Sequence, residues 1–367
     1  MSTFEFLFPT GGLPVFLLVF TFGLAFLLST YGMPIARKAA LKFGMVDAAD
    51  GRLKHQREPV PYLGGLAIYV AFLVSLAFTF EFRQDVLGII LAGTIVLLLG
   101  LIDDFGVLSP GIKLAGQFLA VFVLIKSGIR IQIAALPDWL TLTLTVLWMI
   151  GIINAFNLLD VMDGLSAGVG VVASTFMLGV AVLNGDSTIA FMLVALAGSL
   201  LGFLRYNFYP ARIYMGDAGS LFLGFMVGAL AMVGHYAVNH PIGVLSPVLI
   251  LGVPIFDTVF VMYIRRRRGL SIFRGSPDHI ALRLRYWGMT VPQVVLLSYA
   301  MTATLGMIAI LVMVLPETIA LALVGGTLVL GLIVAILLRR IEVARAGEPR
   351  PVDGTYTDEQ GQVQLWS

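Results

Sequence analysis

Long apolar runs separated by short polar breaks fill most of the chain. They lie at roughly 13–36, 61–80, 86–102, 112–127, 138–156, 165–183, 187–204, 219–238, 243–264, 292–315 and 317–338. A helix needs about 20 mostly apolar residues to cross the hydrocarbon layer, and the runs are of that order. The pattern predicts an all-α polytopic integral membrane protein with about eleven transmembrane helices. The first run has no basic stretch before it and no small-residue cleavage site, so it reads as a span and not as a signal peptide. From Glu342 onward the chain turns polar and carries proline and glycine. This predicts a transmembrane domain over 1–341 with its site in the loops, and a flexible tail over 342–367. No convincing internal repeat is visible, which counts against many transporter folds.

Composition sharpens the picture. Of 367 residues, 59% are hydrophobic and only 12% are charged, where soluble domains carry about 25%. Mean hydropathy is +0.98. There is no cysteine, so disulfides and thiolate metal sites are excluded. Net charge is only +2, but its placement is uneven. With eleven spans, 20 of the 23 lysines and arginines fall in one set of loops, and only Arg83, Lys126 and Arg130 in the other. Cations collect on the cytoplasmic side, which places the N-terminus outside and the C-terminus in the cytoplasm. The expectation is a multi-pass protein of the inner (cytoplasmic) membrane.

That topology sorts the acids. Asp103 and Asp104 end the third run, Asp160 and Asp163 follow the fifth, Asp217 precedes the eighth, and Asp278 and His279 sit in the loop before the tenth. All reach one membrane face. No lysine or arginine lies between Arg130 and Arg205 to balance Asp160 and Asp163. Asp257 falls inside the ninth run and needs an internal partner. Acids in or beside a span are costly and are usually paired or functional; the plainer reading is that they cap helix ends. Clustered carboxylates repel and call for a cation, and hard oxygens without cysteine suit Mg²⁺, with Mn²⁺ as a substitute. Mg²⁺ favours one or two carboxylates with water and a substrate phosphate. Cytoplasmic arginines and lysines supply phosphate partners, and Gly164, Gly216 and Gly219 would let the backbone approach a ligand. The residues therefore point to a Mg²⁺–pyrophosphate site at the membrane surface.

Four segments carry a resemblance: RLKHQREPVPYLGG (52–65), LIDDFGVLSPGIKLAGQ (101–117), NAFNLLDVMDGLSAG (154–168) and FLRYNFYPARIYMGDAGSLFLG (203–224). In order and membrane placement the chain resembles the polyprenyl-phosphate N-acetylhexosamine-1-phosphate transferases, over about residues 14–340. It looks closer to the UDP-GlcNAc branch than to the phospho-MurNAc-pentapeptide transferases. The resemblance implies transfer of a sugar-1-phosphate from a UDP-sugar to undecaprenyl or another polyprenyl phosphate, releasing UMP, as a first membrane step of cell-surface glycan synthesis. It implies membrane-lipid and homodimer contacts, and no nucleic acid. It assigns Asp103 or Asp104, most directly Asp103, to the lipid phosphate. Asp217 becomes a Mg²⁺ ligand, with Asn157, Asp160 and Asp163 around metal and nucleotide and Asp160 a second metal ligand. Asn207 and Tyr214 fall near the uridine, Lys54, His55 and Arg57 in the basic first loop, and Lys113 at a basic position after the acid pair; a lysine snorkelling from a helix end is the plainer reading of Lys113.

One departure stands out. Where the family carries a HxHH-type cluster, this chain reads DHIALRLR, leaving only His279. Arg283 and Arg285 are then expected to neutralise the donor phosphates. An ion-coupled transporter is the rival from a different class, and of these acids only Asp257 fits its midplane charges. The residues leave direct attack by the lipid phosphate and an aspartyl-phosphate intermediate equally open.

Overall fold

The computed structural model describes residues 15–47, 60–79, 84–106, 108–133, 136–237, 239–270, 276, 278–341, 355–357 and 363–365. Helix α1 (Val15–Lys42) leads to a two-stranded pair, β1 (Val46–Asp47) with β2 (Val60–Pro61). Then follow α2 (Gly64–Thr79), α3 (Gln84–Asp104), α4 (Pro110–Lys126), α5 (Asp138–Leu159), α6 (Leu165–Leu183), α7 (Ser187–Asn207) and α8 (Gly216–Val233). A 3₁₀ turn (Pro241–Leu245), α9 (Ser246–Ile250), α10 (Gly252–Arg267), α11 (Ile280–Tyr286), α12 (Val291–Val314) and α13 (Glu317–Arg339) complete the helices. In the tail, β3 (Thr355–Thr357) pairs antiparallel with β4 (Val363–Leu365); most of the tail lies outside the described residues.

Every apolar run carries helix. Among the described residues eight helices are long and apolar enough to cross a membrane, or nine if the bent pair is one span. The chain is a helical multi-pass membrane protein. Three runs differ from straight, full-length spans. The run from 61 opens as extended backbone: Tyr214 N donates to Pro61 O and Gly64 N to Tyr214 O, so α2 starts only at Gly64 and has 16 residues. Helix α4 has 17, bounded by the Ser109 cap and a Ser127–Gly128 turn. The ninth run is broken, its two halves bent by 74°. Prolines explain the break, since Pro247 and Pro254 lack an N–H and fit only in a helix's first turn.

Burial grades the bundle. Within their spans α7 and α8 are 78% buried, whereas α13 is 6% buried and turns Leu328, Leu332 and Leu337 outward. Helix α8 packs on α3, α5 and α2, and α7 on α1 and α6. Without a hydrophobic drive inside lipid, helices associate through close packing of small residues. At the α2–α8 crossing a Cβ on Gly65 would sit 2.2 Å from Gly219 N. That contact brings the start of α8, and with it Asp217, against its neighbours.

Candidate active site

Four helix ends meet at one edge of the bundle. Lys113, in the first turn of α4, reaches across with Nζ 2.7 Å from Asp103 Oδ2 and 2.7 Å from Asp217 Oδ2, and donates to Asn157 Oδ1 at 3.2 Å. Asn157 Nδ2 donates to Asp217 Oδ1 (2.8 Å) and to Ser220 Oγ (2.9 Å), and the Ser220 hydroxyl donates to Gly216 O. The adjacent acids of the pair have different surroundings. Asp103 faces Lys113, while Asp104 accepts from Asp217 N (2.7 Å) and Ala218 N (3.1 Å) with its two oxygens. Asp104 therefore caps α8, satisfying N–H groups that a helix start leaves open. Gly216 makes this possible: its φ is +71°, and a Cβ there would lie 2.7 Å from Asp104 Oδ2. The glycines expected to admit a ligand make close contacts within the bundle: Gly216 admits Asp104, Gly219 packs on Gly65, and the carbonyl of Gly164 accepts from Tyr299 Oη at 2.6 Å.

The loops behind this edge are held by further polar contacts. Asp163 Oδ2 accepts from Ala211 N at 2.9 Å. Asn207 is buried, accepting from Gly164 N and donating to Ile213 O. Its amide ties the 160–164 loop to the 208–215 loop and is enclosed there. The Tyr214 backbone pairs with Pro61 and Gly64, fixing the end of the first loop beside Asp217. Asp160 has no hydrogen bond to its side chain among the described residues. Burial, then the charges of Asp217, Asp104 and Asp163, push its carboxyl from 3.8 up to about 7. Burial raises Asp163 too, against the N–H groups of Ala211 and its own residue.

The Asp160 shift makes a stability prediction. A raised folded value means that the folded protein holds the proton where the unfolded chain has lost it. Its charge is thus a penalty on folding that grows as pH rises from about 4 and is complete above about 7. Asp160→Asn is expected to be more stable than the parent at pH 8, in metal-free buffer, and equal to it near pH 4. Thermal unfolding across that range checks it; a difference independent of pH contradicts it.

The loop before α12 departs most from expectation. His279 is buried with Nδ1 2.7 Å from Asp257 Oδ2, and Asp257 Oδ1 accepts from Ile280 N at 2.7 Å. Asp257 has its internal partner and caps α11. Arg283 is fully buried (0% exposed). Its guanidinium donates to Asp278 Oδ1 (2.6 Å), to Asp278 O, and to the carbonyls of Leu338 and Ile341 at the end of α13, and it lies over the Phe260 ring. So enclosed, Arg283 clamps the 278–283 segment to the end of α13 in this structure. Arg285, partly exposed, donates to Met289 O at its own helix end. Removing one partner of a buried ion pair costs about 3–5 kcal/mol. Arg283→Met is therefore expected to lose stability on that scale, with the donor KM of the folded fraction within about twofold of the parent. A large KM rise at unchanged melting temperature would restore the phosphate role. Lys54, His55 and Arg57 lie outside the described residues.

Sequence reasoning passed over Ser220, Gln117, Asn154 and Tyr299. Gln117 and Asn154 exchange amide hydrogen bonds (2.8 and 3.3 Å) between α4 and α5, a pairing that only the packed helices reveal. Ser220 had a signal, lying four residues beyond Gly216 on the same helix face.

Comparison with known proteins adds names to this geometry. A family model, "Glycosyl transferase family 4", matches residues 86–235. A Bacillus subtilis protein named a probable undecaprenyl-phosphate N-acetylglucosaminyl 1-phosphate transferase is 34% identical over 275 residues, covering 72% of this chain and 76% of that protein. The chain belongs to glycosyl transferase family 4. A Mycolicibacterium smegmatis decaprenyl-phosphate N-acetylglucosaminephosphotransferase is 31% identical, covering 72% of this chain and 74% of its own. A Halalkalibacterium halodurans phospho-N-acetylmuramoyl-pentapeptide-transferase is 33% identical, covering 74% and 89%. The family-4 match contains Asp103, Asp104, Lys113, Asn157, Asp160, Asp163, Asn207, Tyr214 and Asp217, and leaves out the 276–289 loop.

Proposed function

We propose that this family-4 protein transfers N-acetylhexosamine-1-phosphate, GlcNAc-1-phosphate first among the candidates, from a UDP-sugar to a polyprenyl phosphate. An oxygen of the lipid phosphate attacks the β-phosphorus of the donor, the bond to the α-phosphate breaks, and UMP leaves with the electron pair. The observation that carries the reading is the meeting of Asp103, Lys113, Asn157 and Asp217 at one end of four membrane helices. At such an edge a polar nucleotide and a membrane-anchored phosphate can share one site. The transporter reading loses its support, because Asp257 is fixed by His279 and the Ile280 N–H.

The donor set fits Mg²⁺. Two carboxylate oxygens and one amide oxygen already surround a single cationic atom, Lys113 Nζ, and all are hard ligands. Mg²⁺ needs only one or two protein carboxylates, because it completes its shell with water and phosphate. Asp217, with Asp160, would hold it, and when bound it would neutralise and align the donor pyrophosphate. In this reading Lys113 offers its charge to the incoming phosphate, Asp103 orients that phosphate or takes its proton, and Asp104 keeps the start of α8 in place. UMP release from UDP-GlcNAc, UDP-GalNAc and UDP-MurNAc-pentapeptide, each with and without polyprenyl phosphate, tests the proposal; release independent of the lipid acceptor would overturn it.

We also infer eleven spans with the N-terminus outside and this edge in the cytoplasm, supported by the cation split. Exposed Trp287 and Glu317 lie at opposite ends of α12 in that arrangement. Trp287→Cys is expected to label with a membrane-impermeant thiol reagent only from the cytoplasmic side, and Glu317→Cys only from outside. The reverse pattern inverts the topology.

A further inference from the structure

A separate basic cavity lies where α1 and α7 end. Its volume is about 160 Å³, and its wall combines Arg37, Lys38, Arg212 and Tyr206 with the apolar Met33, Pro34 and Ile213. None of the acids of the candidate active site lines it. The chain builds this wall deliberately. Arg212 N donates to Tyr206 O at 2.8 Å, which sets the arginine against the end of α7. Arg37 Nε donates to Arg212 O at 3.3 Å, which draws the two arginines together. Among the described residues Arg37, Lys38 and Arg212 have no ion-pair partner, and all three are exposed. Tyr31 and Ile35, on α1 beside this wall, are 72% and 70% exposed, so an apolar surface of this helix adjoins the cavity.

We propose that this cavity binds the phosphate headgroup of an anionic membrane lipid. Three cations lining one cavity raise its affinity for an anion, although solvent and salt screen part of their charge. Arginine's planar fork pairs with phosphate oxygens, and the lysine adds a point charge. Cations beside a membrane helix also draw anionic lipids from the adjoining leaflet. At about 160 Å³ the cavity is smaller than the roughly 300–1,000 Å³ clefts that enclose drug-sized molecules, so it suits a headgroup whose remainder lies outside it. The apolar wall of Met33, Pro34 and Ile213 suits the first carbons beyond a headgroup. Cations that merely anchor topology need neither a shared cavity nor the bond from Arg37 to Arg212. The proposal is independent of the transferase reading, and its test reads binding and not turnover.

The test is a titration of the purified full chain in detergent with dioctanoyl phosphatidylglycerol, following ligand-dependent thermal stabilisation. Dioctanoyl phosphatidylcholine, with a net-neutral headgroup, is expected to bind at least about tenfold more weakly. The double variant Arg37→Gln, Arg212→Gln is expected to raise the apparent Kd for phosphatidylglycerol at least about tenfold, and Lys126→Gln, on a cation at the far end of α4, to leave it unchanged. If the double variant does not fold, Lys38→Gln carries the same test with a rise of at least about threefold. Inorganic phosphate is expected to compete only weakly. Equal binding of the two lipids, or an unchanged Kd in the variants, overturns the proposal. Full displacement by equimolar inorganic phosphate overturns its lipid part and makes the cavity a site for free phosphate.

Discussion

Asp217→Asn is expected to abolish turnover, by at least about a hundredfold, which is about 2.7 kcal/mol of barrier. The substitution keeps the size of the side chain and removes its charge. Asp217 is placed to act directly: its side chain is 36% exposed, yet its two oxygens engage Lys113 and Asn157 at 2.7 and 2.8 Å. Losing the charge weakens the hold on Lys113 and removes the carboxylate proposed to carry Mg²⁺. The cap on α8 is untouched, because Asp104 bonds the backbone of residue 217 and not its side chain. The melting temperature should therefore stay close to the parent's while activity vanishes. Retention of more than about a tenth of the activity, roughly 1.4 kcal/mol, contradicts the assignment.

The second large effect separates two neighbours that sequence cannot tell apart. Asp104→Ala removes both acceptors from Asp217 N and Ala218 N. Each unsatisfied buried group costs about 1–3 kcal/mol, so this variant should lose several kcal/mol of stability and, with α8 misplaced, its activity. Asp104→Asn retains one oxygen acceptor and should recover part of the stability. Asp103→Asn should behave oppositely. The Asp103 carboxylate contacts Lys113 and caps no helix start, so its loss should cost turnover at least about a hundredfold with little change in melting. Thermal unfolding and steady-state kinetics on the same preparations decide this. Equal melting losses in Asp103→Asn and Asp104→Ala would mean that the pair acts as a unit.

Much of the architecture was legible because hydropathy is a local property. The run at 165–183 matches α6 residue for residue, and helix ends bearing acids gather on one face once the runs are counted. What escaped was set by partners distant in sequence. Nothing local marks Asp104 as the acceptor for Asp217 N, 113 positions later at the start of α8, or Asp257 as the holder of His279 22 positions on. The enclosure of Arg283 was not legible either, because loop arginines are usually solvated; here the end of α13 supplies carbonyls from Leu338 and Ile341. The break in the ninth run was readable from Pro241, Pro247 and Pro254, but averaged hydropathy smooths over prolines. Sequence marks Lys113 only as a basic residue near the acids; that it touches Asp103, Asp217 and Asn157 together follows from how α4 packs.

The central claim is that phosphorus, and not the sugar alone, passes to the lipid. UDP-GlcNAc labelled in its β-phosphate, supplied with polyprenyl phosphate, Mg²⁺ and the purified protein, tests this most directly. The account predicts that all transferred label appears in a lipid-linked pyrophosphate and that the released nucleotide is unlabelled UMP. Label leaving in UDP, with unlabelled sugar on the lipid, would contradict it.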